Sequence, residues 1–116
     1  MARRKISPYL LEIAMVIHFY TTKGPHGCFS NFSRHPVEMK GKVWPTSEHY
    51  YQAQKMVGTE FEEKIRECPN PKAAANMGRD KSLPMRDDWD SVKDDVMRDV
   101  VRAKFTQHKD IQNILL

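Results

Sequence analysis

Hydrophobic and polar positions divide this chain of 116 residues into a short strand-forming part and a longer helical part. Met15–Tyr20 (MVIHFY) is β-branched and aromatic, which predicts a buried strand. Val37–Met39 and Val43–Trp44 flank Lys40-Gly41-Lys42, and this predicts a short hairpin whose glycine takes a positive φ. The pattern therefore predicts a small antiparallel sheet towards the N-terminus.

Two helices are predicted directly after the hairpin. Thr46 or Ser47 can cap the first, and Gly58 is expected to end it as the residue just beyond the C-cap. The run Thr59-Glu60-Phe61-Glu62 has the form of a capping box and starts the second helix, which Cys68-Pro69 closes. Both predictions depend on the backbone chemistry of helix ends.

Two further helices follow from the same signals. Asn70 is expected to cap the third, with Pro71 at its first position and Gly78 at its end. Asp87-Asp88 can cap a long helix from Trp89 to about Phe105. Its apolar residues form one stripe that predicts a buried face: Trp89, Val92, Val96, Met97, Val100, Val101 and Phe105.

The two ends of the chain differ from the middle. Residues 1–14 have a basic start and are interpreted as an extension, with one domain in residues 15–116. Asp110 is expected to cap a last helix whose apolar face begins with Ile111, Ile114, Leu115 and Leu116. Because that face would stay uncovered, we expect the natural domain to continue or a partner to cover it.

Composition narrows the functional classes. The net charge of +4 and pI of about 9.1 suit an anionic, phosphate-bearing ligand, but half of this charge lies in residues 1–14, and specific nucleic-acid binding is not predicted. No apolar run reaches the roughly 20 residues of a membrane helix. Cys28 and Cys68 lack paired spacing, which favours reduced thiols, a cytoplasmic location and no metal site.

The densest group of polar side chains lies on the first helix. Glu48, Tyr51, Gln52 and Lys55 follow at i, i+3, i+4 and i+7, so they share one face over roughly 10 Å of helix. A carboxylate, a ring, an amide and an ammonium along one groove could all contact a ribosyl-nitrogen substrate. The alternative is that Glu48 only complements the helix dipole and Lys55 lies in solvent. His49 points to another face and is assigned to the core or to support of the site.

Two other groups are candidates for ligand binding. Phe29-Ser30-Asn31-Phe32 places two polar side chains between two rings, which suits either a ligand or an Asx-type turn with core aromatics. Arg79 follows the glycine at the end of the third helix and is placed for a phosphate, or is simply solvated.

These motifs resemble the YbiA/NADAR family in order and spacing. The resemblance runs from Val16 onward and is carried by Phe29-Ser30-Asn31-Phe32, by Trp44-Pro45-Thr46-Ser47-Glu48-His49-Tyr50-Tyr51-Gln52-Ala53-Gln54-Lys55, and by Ala74, Gly78-Arg79, Trp89, Met97 and Lys104-Phe105. It implies a mostly helical α+β domain with a small N-terminal antiparallel sheet. It also implies hydrolysis of an N-glycosidic bond, with no cofactor.

The family resemblance implies two substrate classes: phosphoribosyl-aminopyrimidine intermediates of riboflavin synthesis, and ADP-ribose attached to guanine. It assigns Glu48 as the catalytic carboxylate and Lys55 as a second catalytic group, which could bind phosphate, protonate the leaving nitrogen or trap an opened sugar as a Schiff base. The expected substrate-binding residues are Ser30, Asn31, Phe32, Trp44, Thr46, Tyr51 and Arg79.

One feature departs from the family pattern. Relatives continue past Ile114-Leu115-Leu116 into an Asp-containing, Trp-Gly-type motif that completes the pocket, whereas this sequence stops before it. The alternative prediction is therefore a non-catalytic binder of ADP-ribose-like or nucleotide ligands, or a decayed copy of such a domain.

Overall fold

A hairpin and four helices make up the part of the chain that the structure, a computed structural model, describes, which is residues 33–110. This arrangement confirms the predicted α+β class with a small antiparallel sheet. The predicted strand Met15–Tyr20, the candidate residues Ser30, Asn31 and Phe32, and the apolar residues of the predicted last helix lie outside the described residues.

The hairpin consists of β1 (Val37–Met39) and β2 (Lys42–Trp44), paired antiparallel. Lys40 and Gly41 both have positive φ, 55° and 73°, as in the type I′ turn that matches strand twist. The hairpin and its glycine are thus confirmed. Lys42 was expected in the turn, but it pairs with Met39 because a two-residue turn suffices to reverse the chain.

The first helix is α1 (Ser47–Lys55), and Thr46 is its N-cap. The Thr46 hydroxyl accepts a hydrogen bond from the His49 N–H at 3.2 Å. Of the two residues predicted as its cap, Thr46 is therefore the one used. The helix ends earlier than predicted, because Met56 is the C-cap. Gly58 lies two residues further on with φ of 82°, in the turn that leads to the next helix.

The second helix, α2 (Glu60–Arg66), starts at Thr59, as predicted, but the capping box is altered. The Thr59 hydroxyl accepts from the Phe61 N–H at 3.2 Å, one residue earlier than in the standard box. Glu62 reaches back to the N–H of Gly58 at 3.2 Å, because the Thr59 N–H is already bonded to the Met56 carbonyl. The orphan donors are satisfied by the predicted residues in a shifted pattern.

The third helix, α3 (Pro71–Gly78), has the predicted ends. The Asn70 side chain accepts from the Ala73 N–H at 2.8 Å, and Pro71 occupies the first turn. The fourth helix, α4 (Trp89–Gln107), extends two residues beyond the predicted end. Asp88 holds its N-cap position but makes no capping hydrogen bond, because its carboxylate binds the Arg86 guanidinium at 2.6 and 3.0 Å.

The core forms around α1, which contacts β2 and the three other helices. Val92 and Val96 of the predicted stripe are only partly buried, since α4 turns that edge away from the packed face. Lys104 is 1% exposed on the buried face and donates to the Ser33 hydroxyl at 2.6 Å. The buried apolar cluster comprises Val37, Trp44, Tyr50, Ala53, Met56, Ile65, Ala74, Met97, Val100, Val101 and Phe105. No helix in this part of the chain has the length and apolar character needed to cross a membrane.

Asn70→Ala is expected to lower the free energy of unfolding by about 1 kcal/mol, because the Ala73 N–H at the start of α3 loses its acceptor. Urea denaturation followed by circular dichroism measures the difference. Asn76→Ala is the matched control, since Asn76 is exposed in the interior of the same helix and alanine is the better helix former. Equal losses for the two variants would contradict the capping role.

Candidate active site

Glu48 and Gln52 form the centre of the candidate site on α1. Glu48 lies in the first turn and is 5% exposed, an unusual position for a carboxylate. The Gln52 side-chain amide donates to Glu48 Oε1 at 2.7 Å, across one helical turn. The prediction that these two residues share a face is confirmed. Glu48 also lies in the first turn of α1, where its charge complements the helix dipole as the alternative prediction stated.

Gln52 is enclosed by the end of α3. A side chain at Gly78 would place its Cβ 2.8 Å from both Cβ and Cδ of Gln52, so only glycine permits this close approach. Gln52 is 2% exposed, and its Oε1 atom is buried with no hydrogen-bond partner among the described residues. The amide beside Glu48 is therefore held by packing on one side and by the carboxylate on the other.

Tyr51 and Lys55 meet the first residue of α4. The rings of Tyr51 and Trp89 have centroids 5.1 Å apart, and Lys55 Nζ lies 5.7 Å from the Trp89 ring centroid. Lys55 Nζ also donates to the Gly78 carbonyl at 3.4 Å. The expectation that Lys55 lies free in solvent is thus wrong. Sequence analysis assigned Trp89 to the apolar stripe, and nothing in its pattern distinguished it from the other stripe residues.

Electrostatic interactions link the members of this face. Burial lowers the pKa of Lys55, the neighbouring Arg79 lowers it further, and Glu48 acts in the opposite direction. Burial raises the pKa of Tyr51, and the negative charges of Glu48 and Asp94 add to that effect. The charges of Glu48 and Arg79 therefore act on the ionisation of Tyr51 and Lys55. Such coupling of ionisable groups is common at functional sites.

His49 and Thr46 have structural hydrogen bonds on another face of α1. His49 Nε2 lies 3.0 Å from the Cys68 carbonyl, which can only accept, so Nε2 carries the hydrogen. Nδ1 then accepts from the Thr46 hydroxyl at 2.8 Å. Burial lowers the pKa of His49, which favours this neutral form. The supporting role predicted for His49 is confirmed, and Thr46 acts here as the cap of α1.

The remaining predicted binding residues lie in different environments. Trp44 is completely buried, donates its indole N–H to the Met39 carbonyl at 3.0 Å, and packs edge-on against Tyr50. Its side chain therefore supports α1 from within the core. Arg79 is exposed at the C-cap of α3, directly after Gly78, and is the residue of this group best placed to reach a ligand.

The assembled face offers a buried carboxylate, an amine of lowered basicity and two rings. Lys55 has a partly desolvated amine beside a second cation, an environment that favours the neutral, nucleophilic form of a lysine. Within residues 33–110, no group of three or more His, Cys, Asp or Glu side chains is placed to hold a metal ion. The chemistry available from these residues is general acid–base, electrostatic and nucleophilic catalysis.

Comparison with known proteins identifies related chains. The family model described as the NADAR domain matches residues 18–116. The N-glycosidase YbiA of Escherichia coli is 50% identical over 101 residues, which cover 87% of this chain and 63% of that protein. A riboflavin biosynthesis protein of Zea mays, the chloroplastic PYRR, is 39% identical over an alignment covering 97% of this chain and 20% of its own length.

A solved structure has the same fold. The NMR structure of the E. coli protein YbiA superposes with a TM-score of 0.73 at 50% sequence identity, covering 83% of this chain and 57% of that one. The chain thus spans about three fifths of the length of the E. coli relative it matches.

Proposed function

The chain belongs to the NADAR domain family, and on this basis we propose that it is an N-glycosidase that hydrolyses the bond between a ribosyl carbon and a nitrogen. The observation that carries the proposal is the buried Glu48 carboxylate, 5% exposed and fixed by Gln52 at 2.7 Å. Such a rigid anion suits a reaction in which the sugar becomes transiently cationic.

Glu48 has the role of stabilising that cation and activating water. The reaction places positive charge on the anomeric carbon, in the protonated imine that forms when the furanose opens, and a fixed anion in a water-poor site stabilises this charge more than bulk water does. The first turn of α1 is a favourable place for a negative charge. Gln52 binds one carboxylate oxygen, Oε1, and we assign the other oxygen to contact with water or sugar.

Lys55 has the role of a nucleophile. When the furanose opens, its anomeric carbon is joined to the leaving nitrogen as an imine, and the Lys55 amine adds to that carbon and displaces the nitrogen. Water then hydrolyses the new Lys55 imine and releases the sugar. The net reaction adds one water, with hydroxyl on carbon and hydrogen on nitrogen. The lowered pKa of Lys55, caused by burial and by Arg79, supports this role.

The substrate is a phosphorylated ribosyl compound whose leaving nitrogen belongs to an amine on a heterocycle. The Zea mays relative is a riboflavin biosynthesis protein, which favours a phosphoribosyl-aminopyrimidine. ADP-ribose on guanine has the same type of bond and is the second candidate. Arg79 and the segment Ser30-Asn31-Phe32 are proposed to contact phosphate and sugar, and Tyr51 to pack against the substrate. A cytoplasmic location is proposed because free thiols such as Cys68 are typical there.

The direct test incubates the chain separately with a phosphoribosyl-aminopyrimidine and with ADP-ribosylated guanine oligonucleotide. We expect release of the aminopyrimidine and ribose phosphate from the first, or of ADP-ribose and the unmodified oligonucleotide from the second, detected by liquid chromatography and mass spectrometry. Binding of either compound in calorimetry without cleavage of either would contradict the proposal and identify a non-catalytic binder.

The pH dependence of turnover should report the state of Lys55. A nucleophilic amine must be neutral, so kcat/KM is expected to rise as pH increases through the pKa of Lys55. Because burial and Arg79 lower that pKa, the midpoint of the rise should lie below the pH of about 10.5 expected for an exposed lysine. A rate that falls over this range would show that Lys55 acts in its charged form, as a proton donor or phosphate ligand.

A further inference from the structure

The sequence placed Gln52 on the candidate face of α1 but not among the catalytic and substrate-binding residues expected from the family resemblance, yet it makes the direct contact with Glu48. Its amide has two chemically different ends, an NH2 that donates and an oxygen that accepts. The NH2 lies 2.7 Å from Glu48 Oε1, in a position where both residues are at least 95% buried. The reverse orientation would bring two acceptors together, so the carboxylate selects this orientation of the amide.

The oxygen at the other end of the Gln52 amide is in an unfavourable environment. Gln52 Oε1 is buried and has no hydrogen-bond partner among the described residues. A buried unsatisfied oxygen is unfavourable and uncommon in folded proteins. An apolar side chain at this position would avoid that cost, so the feature that accounts for the amide is its hydrogen bond to Glu48.

Gly78 completes the arrangement by preventing the amide from moving. The Gln52 side chain lies where a Cβ at position 78 would stand, with Cβ and Cδ both 2.8 Å from that point. The end of α3 therefore packs against Gln52 and keeps its side chain next to Glu48. The Gly78 carbonyl also accepts a hydrogen bond from Lys55 Nζ at 3.4 Å. Gly78 therefore contacts both Lys55 and the glutamine that binds Glu48.

From these contacts we infer that Gln52 is a positioning residue, which fixes the orientation of the Glu48 carboxylate in the site and is itself kept in place by Gly78. Its effect on turnover rests on the proposed function, whereas its effect on the Glu48 carboxylate does not. Without the amide, Glu48 Oε1 loses its hydrogen-bond donor, so the carboxylate should lose its fixed orientation.

The test is carbon-13 NMR of the Glu48 carboxyl carbon in the full chain at one fixed pH, with the resonance assigned by its loss in Glu48→Gln. In Gln52→Met we expect this resonance to shift from its wild-type position, because Glu48 Oε1 has lost its hydrogen-bond donor. Gln54→Met is the matched control. Gln54 is on the same helix and 4% exposed, but its amide contacts Lys40 and Glu62 instead.

Gly78→Ala provides a second variant, because it keeps the amide but places a Cβ where the Gln52 side chain lies, so the amide must move and the Glu48 resonance should shift too. An unchanged resonance in both Gln52→Met and Gly78→Ala would overturn the inference even if the wild-type chain cleaves substrate. If the wild-type chain cleaves neither substrate, the proposed function fails while the NMR measurement still decides the role of Gln52. In an active chain, we expect Gln52→Met to lower kcat about tenfold and leave KM within about twofold of the wild-type value.

Discussion

Glu48→Gln is expected to lower kcat by about 10²-fold or more, because the amide has the size of the carboxylate but neither its charge nor its basicity. In the structure Glu48 is 5% exposed, so water cannot replace the lost charge in the transition state. Substrate affinity should change much less, since the positive charge on the sugar develops only as the bond breaks. Steady-state kinetics on the substrate identified by the release assay measures both parameters.

Glu60→Gln is the matched control for this variant. Glu60 lies in the first turn of α2 with a 69% exposed side chain, and its single ion pair with Lys64 at 3.6 Å contributes little. We expect wild-type turnover from this variant. If Glu48→Gln retained wild-type turnover while circular dichroism showed it folded, Glu48 would have no catalytic role and the proposed mechanism would be wrong.

Lys55→Arg is expected to lower kcat by about 10²-fold or more, a loss similar to that of Glu48→Gln, although the positive charge is kept. A guanidinium remains protonated and cannot form an imine with the sugar, whereas the Lys55 amine is made less basic by burial and by Arg79. Lys64→Arg is the control, because Lys64 is 53% exposed on α2. Substantial activity in Lys55→Arg would indicate that charge, and therefore phosphate binding, is what position 55 supplies.

Chemical trapping gives a second measure of the same step. Borohydride added during turnover reduces an imine to a stable secondary amine, so a sugar should become attached to the protein. Peptide mass spectrometry is expected to place it on Lys55, and the adduct should be absent from Lys55→Arg. Inactivation of the wild-type chain without any adduct would exclude the covalent route and favour proton donation by Lys55.

Local chemistry was sufficient to predict most of the secondary structure in residues 33–110. The type I′ hairpin follows from a glycine between two β-branched segments, and the start of α3 follows from Asn70 and Pro71. These features depend on neighbouring residues alone, so they can be recognised along the chain. The errors, at Gly58, Lys42 and Asp88, occurred where a competing hydrogen bond or a tighter turn was available.

The face shared by Glu48, Tyr51, Gln52 and Lys55 was also determined by the sequence, because helical periodicity places residues three, four and seven apart on one side. What periodicity leaves open is whether that side meets solvent or protein. The answer came from residues distant in sequence: Gly78 of α3 encloses Gln52, and Trp89 of α4 covers Tyr51 and Lys55.

The sequence by itself determined the elements, the family resemblance and the set of reactive groups on α1. Only the tertiary structure decided that the carboxylate is buried, that the amine is partly desolvated, and that Trp44 and Thr46 support α1 through the core and the cap. The physical reason is that burial and charge coupling depend on packing between helices that are not adjacent in sequence. Helix periodicity and capping, in contrast, arise within a few neighbouring residues.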